Sequence, residues 1–114
     1  MKSPRPGVLL LAFFLALGAC ARPMATDPVG AGVEAAREGR WDEAARHWRL
    51  ALEQDPGSAA GYNNLAVVLE RQGAYDEARR AYEAALRLDP ENPAIKGNYE
   101  AFRRRMEKGR GRRP

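Results

Sequence analysis

The chain has 114 residues, 45% of them hydrophobic and 30% charged. That balance excludes a disordered polymer, and the richness in Ala, Glu, Arg and Leu without long β-branched runs favours helix over sheet. The formal net charge of +4 is unevenly placed: residues 20–102 carry ten basic and fourteen acidic side chains, whereas residues 103–114 carry seven basic and one acidic. The body is therefore mildly acidic, which argues against a nucleic-acid partner, and the single cysteine, Cys20, excludes an internal disulfide and a cysteine zinc cluster.

The first element is a leader. It begins with Lys2 and Arg5, runs through the ten apolar residues Val8 to Leu17 and ends in Leu17-Gly18-Ala19-Cys20, the layout of a signal peptide. Ten residues rise only about 15 Å as a helix, short of the ~20 residues that a bilayer crossing needs. The Leu-Gly-Ala-Cys ending resembles the lipobox of bacterial lipoproteins. That resemblance implies removal of residues 1–19, a diacylglyceryl thioether on Cys20 and a further acyl chain on its freed amine. Two or three chains anchor a protein stably where one myristoyl chain is marginal. Ordinary secretory cleavage after Ala21 and a retained leader remain as alternatives. The residue after Cys20 is Ala21 rather than the Asp that resembles an inner-membrane retention signal, so the expected address in a diderm host is the periplasmic side of the outer membrane. Residues 20–28 form a short tether.

Next comes an internal repeat. Gly39 to Pro56 and Gly73 to Pro90 align at an offset of 34 residues with nine of eighteen positions identical, among them Gly39/Gly73, Asp42/Asp76, Ala44/Ala78 and Pro56/Pro90; Trp41/Tyr75 and Trp48/Tyr82 exchange one large aromatic for another. A period of 34 with two helices and a turn is the length of a tetratricopeptide repeat. Residues 59–92 resemble that family's pattern most fully, with Tyr62, Leu65, Ala66 and Leu69 on a first helix and Ala78, Tyr82, Ala85 and Pro90 on and after a second. Small Ala66, Ala78 and Ala85 let two antiparallel helices approach, and the larger side chains fill the space around them. Asp42/Arg46, Asp76/Arg80 and Glu83/Arg87 stand one helical turn apart as expected ion pairs on solvated faces.

The flanking units are partial. In residues 25–58 the second helix fits well, but the first begins after Asp27-Pro28 and contains Gly30, Ala31, Gly32 and Ala35. A short helix that frays over residues 29–38, leaving apolar surface around Trp41 and Trp48, is predicted. After Pro90, Asn92 reads as a cap for a last helix in which Ile95, Tyr99, Phe102 and Met106 form one apolar stripe that covers the preceding repeat. The expected fold is all-α: an antiparallel helix-turn-helix solenoid of about two and a half tetratricopeptide repeats over residues 29–108, closed by a C-terminal capping helix and followed by a disordered basic tail at 109–114.

Chemistry is sparse. His47 is the only histidine, and Ser58 is better explained as a helix N-cap than as a nucleophile; neither catalysis nor a metal or cofactor is expected. The resemblance implies a concave groove lined by first helices, at Ala60, Asn63, Val67, Glu70, Arg71, Gly97, Ala101, Arg104 and Arg105. Asn63, Val67, Glu70, Arg71, Arg104 and Arg105 form the candidate partner-binding set, with solvated helix positions as the plainer reading. A family carboxylate clamp would fall on Val29, Val33, Asn64, Ala94 and Asn98, where only Asn64 agrees. The expected function is a membrane-anchored adaptor that docks an envelope protein or peptide, or a second copy of the chain. The alternative is an envelope protein that holds an anionic lipid or polymer through its Arg-rich C-terminus.

Overall fold

The computed structural model describes residues 27–112. Over those residues the chain forms α1 (Pro28–Arg37), α2 (Trp41–Gln54), α3 (Ala59–Arg71), α4 (Tyr75–Leu88) and α5 (Pro93–Arg110), with no strand. Within each unit the two helices pack as a pair, α1 on α2 and α3 on α4; α2 joins the pairs by packing on α3, and α5 lies against both α3 and α4. This is the all-α helical-repeat architecture expected from the 34-residue period.

The two kinds of helix begin differently. α1, α3 and α5 start after side-chain caps: Asp27 accepts from the Val29 N–H, Ser58 from Gly61 at 2.9 Å, and Asn92 from Ala94 and Ile95 at 3.0 and 3.2 Å. Pro28 and Pro93 then occupy first positions, where a missing N–H costs nothing. α2 and α4 have no side-chain cap. The chain enters them from a turn in which Gly39 and Gly73 adopt φ of 73° and 77°, and the Arg40 and Ala74 N–H groups close back on Ala35 and Leu69 carbonyls at 2.9 Å. An L-residue in that left-handed conformation costs about 1–2 kcal/mol, which explains the glycine at both equivalent turns. Asp42, Glu43, Asp76 and Glu77 in the first turns offset the positive helix ends instead.

The core follows the small-large pattern. Ala66, Ala78 and Ala85 have no exposed surface, and Leu65, Leu69 and Tyr82 fill in around them. The first unit is better packed than its composition implies. A Cβ on Gly32 would stand 2.8 Å from Trp48 Cε2, so the absence of a side chain is what seats the indole against α1. Trp48 is 2% and Ala35 1% exposed. The apolar surface expected around Trp48 is therefore covered, and only Trp41 keeps part of its ring in solvent.

The stripe on α5 is confirmed: Ile95 and Phe102 are buried, and Tyr99 and Met106 pack half-buried against the core. Tyr99 and Phe102 place their rings 5.6 and 5.5 Å from that of Tyr82 on α4. The helix runs on to Arg110, so Gly109 and Arg110 belong to it and not to a tail. The outer face of α5 is polar. Tyr62, Ala66 and Leu69 of α3 become Lys96, Glu100 and Arg103 at the equivalent positions of α5, all exposed. Tyr99 and Phe102, which meet the preceding unit, correspond two repeats earlier to Ala31 and the exposed Glu34. A repeat array needs a polar terminal face, and Lys96, Glu100 and Arg103 supply one on α5.

The one-turn pairs do not close. Asp42 instead accepts from Gln72, just past the end of α3, at 2.6 Å, Asp76 meets Arg79 at 3.5 Å, and Glu83 accepts from the Tyr99 hydroxyl at 3.1 Å. For Asp42 and Glu83 the nearer partner comes from outside the helix, and for Asp76 the arginine three residues on takes the place of the one four residues on.

Candidate functional site

The 34-residue period sets equivalent side chains of α1, α3 and α5 in rows: Val29/Asn63/Gly97, Val33/Val67/Ala101, Ala36/Glu70/Arg104 and Arg37/Arg71/Arg105. The first two rows make a shallow floor of small side chains. Val29 and Val33 are 43% and 38% exposed, and Val67 is half-buried against the core. Val29 lines a hollow of about 80 Å³ with Ala60 and Asn64 of α3 and with Trp48, Ala51 and Leu52 of α2, which lies between them. The last two rows make a rim, charged except at Ala36, at the C-terminal ends of α1 and α3 and along the adjoining part of α5.

Polar rungs tie α3 to α5 across the floor. Asn98 donates to Asn63 at 3.1 Å, and Arg105 donates to Glu70 through Nε and a terminal nitrogen at 3.0 and 2.6 Å. Glu70 also accepts the Tyr82 hydroxyl at 2.9 Å, so both of its oxygens are engaged. Burial in the first place, and then the bond to Glu70, push the Tyr82 phenol well above its ordinary range; Tyr99 is raised by burial and by its bond to Glu83. Arg71 lies over the Trp41 ring, its guanidinium carbon 5.7 Å from the centroid, a contact between the two units worth roughly 0.5–1 kcal/mol at an exposed position.

These contacts divide the six candidate residues. Asn63, Glu70 and Arg105 meet partners inside the protein and hold α5 in place, whereas Val67, Arg71 and Arg104 keep surface for a partner. The composition of single helices could not separate them, because the rungs join residues 35 apart in sequence. Three contributors lay outside the candidate set. Asn98 and Tyr82 complete the rungs, and Arg37 continues the row of Arg71 and Arg105; the repeat period was the signal that could have found Arg37. The clamp positions stay aliphatic at Val29, Val33 and Ala94, and Asn98 is engaged with Asn63, so no terminal-carboxylate grip is assembled.

Among the described residues no group of three His, Cys, Asp or Glu could hold a metal ion, and no helix is long and apolar enough to cross a membrane. Cys20, the leader and most of the tether lie outside the described residues.

Paired antiparallel helices at a 34-residue period, with first helices aligned along one floor, define a helical-repeat binding module. A family model described as tetratricopeptide repeat matches residues 29–93, more than half of the chain. The chain belongs to the tetratricopeptide repeat family, whose members are generally protein-interaction modules without catalysis. No curated protein matches the chain at a significant level.

Proposed function

We propose that the protein is a membrane-anchored adaptor of the bacterial cell envelope that docks a protein or peptide on the floor formed by α1, α3 and α5. The observation that carries this reading is the aliphatic start of the first two rows: Val29 and Val33 keep open surface and lead on to the half-buried Val67, while Ala35, Leu65, Val68 and Leu69 of the same helices are covered. A floor of small residues leaves room for a partner's larger side chains, and Arg37, Arg71 and Arg104 at the rim add orientation. Acylated Cys20 supplies the anchor, and the tether keeps the module within ~25 Å of the lipid surface.

Photo-crosslinkers placed at Val33 and Val67, and for comparison at Arg46 and Arg80 on the second helices, test the reading in cells of the native host. Crosslinks to a defined envelope protein from the first two positions only are expected. Equal crosslinking from all four positions, or none from Val33 and Val67, would overturn it.

A further inference from the structure

The geometry points to an extension of the docking floor, a cleft beneath the projecting end of α5 that takes an acidic protein segment carrying one large apolar side chain. This deepens the proposed function and rests on it. The bond from Arg105 to Glu70 ties α5 to α3 one residue before α3 ends at Arg71. α5 nevertheless continues to Arg110, about 7.5 Å further at the helical rise. Its last turn therefore overhangs the turn at Gly73, and an open cleft of about 1350 Å³ runs from Val67 and Ala101 of the floor, past that turn, to the start of α4 beneath α5. A cavity this open cannot enclose a small ligand; a polypeptide can lie along it.

The cleft has an apolar floor and a basic rim. Tyr75, 48% exposed, and the half-buried Met106 form the floor above Tyr82 and Phe102. Five arginines line it, at 71, 79, 103, 105 and 110, against Glu70, Asp76 and Glu107. Arg105 is held by Glu70 and Arg79 by Asp76. Arg71, Arg103 and Arg110 have no ion pair among the described residues, and only Glu107 is left to oppose them. The charge here is thus opposite to that of the acidic body. Arg103 and Arg110 stand two helical turns apart on one face, a rise of about 10.5 Å. Carboxylates three residues apart on an extended polyproline-II segment are spaced about 9.3 Å and point the same way, so both guanidinium forks can be met at once. An anionic lipid headgroup would satisfy the rim but leave Tyr75 and Met106 uncovered below it. The floor decides for a side chain.

The test uses the full chain in neutral detergent micelles and a fluorescein-labelled peptide of about a dozen Asp, Glu and Ser residues around one Leu, long enough to span ~35 Å when extended. Anisotropy should report binding at low salt, weakened about tenfold or more by Arg103→Glu with Arg110→Glu, since each reversal turns an attraction at the rim into a repulsion. Replacing the peptide's Leu by Ser should weaken binding several-fold, and Arg80→Glu on the outer side of α4 should leave it unchanged. Both arginines are exposed, so helical circular dichroism should be preserved; if it is not, Arg103→Gln with Arg110→Gln carries the same comparison. No binding at low salt, indifference to the arginine changes, or equal binding of the Leu and Ser peptides would each refute the cleft. Loss with Val33→Glu alone would assign the peptide to the α1–α3 floor, sinking this inference while the proposed function stands. Displacement of the peptide by phosphatidylglycerol added to the micelles would make a lipid headgroup the occupant and overturn it.

Discussion

Gly30 and Gly32 sit two residues apart in the same short helix, and helix propensity alone predicts that changing either to Ala stabilises it by about 1 kcal/mol. The structure predicts opposite signs. A Cβ on Gly30 meets nothing within 4 Å, whereas one on Gly32 would meet three atoms of the Trp48 indole at 2.8, 3.0 and 3.1 Å. Overpacking of a filled core costs typically 1–3 kcal/mol. Trp48 is 2% exposed and has little freedom to retreat, so Gly32→Ala should lose about 1–2 kcal/mol net of the propensity gain. For a domain of this size each kcal/mol corresponds to roughly 4–8 °C in the unfolding midpoint. Urea unfolding followed by helical circular dichroism on a chain beginning at Ala21, with unchanged urea slope as the check on comparability, separates the cases. Gly30→Ala should raise the midpoint and Gly32→Ala lower it. Equal stabilisation by both changes would show that the indole is not seated against α1, and the fraying first helix expected from composition would return.

The Glu70 hub should be asymmetric: Glu70→Ala strands the buried Tyr82 hydroxyl and should cost about 1–2 kcal/mol in urea unfolding, while Arg105→Ala, with that side chain 53% exposed, should cost under about 1 kcal/mol. Because the Tyr82 phenol is raised in the folded state, the unfolded chain releases its proton first. Stability should hold below pH ~10 and fall as pH rises above it; Tyr82→Phe should flatten that alkaline fall, and equal alkaline loss in both proteins would locate its cause elsewhere. Cys20→Ala should move the protein from the membrane to the soluble envelope fraction, and mass spectrometry should find an acylated Cys20 in the parent; an unmodified mature chain starting at Ala21 would defeat the anchor. Ending the chain after Lys108 removes only residues exposed in the structure or outside its described part, so the unfolding free energy should stay within about 0.5 kcal/mol.

The fold was written in the sequence wherever information was local or periodic. The 34-residue offset placed the helices, Ser58 and Asn92 marked their starts, and the Ile95, Tyr99, Phe102, Met106 stripe marked the covered face of α5, because caps and a 3.6-residue period depend only on neighbours along the chain. What the tertiary structure alone decided are contacts between residues far apart in sequence. Gly32 reads as a weakness until Trp48 is placed on it. Glu70 and Asn63 read as groove residues until Arg105 and Asn98 arrive from α5, and Asp42 reads as a partner for Arg46 until Gln72 comes nearer. In each case the side chain's role depends on which of several partners within reach it meets. That choice is set by how the helices stack, since spacing along one helix fixes the face a residue occupies but not what packs against it.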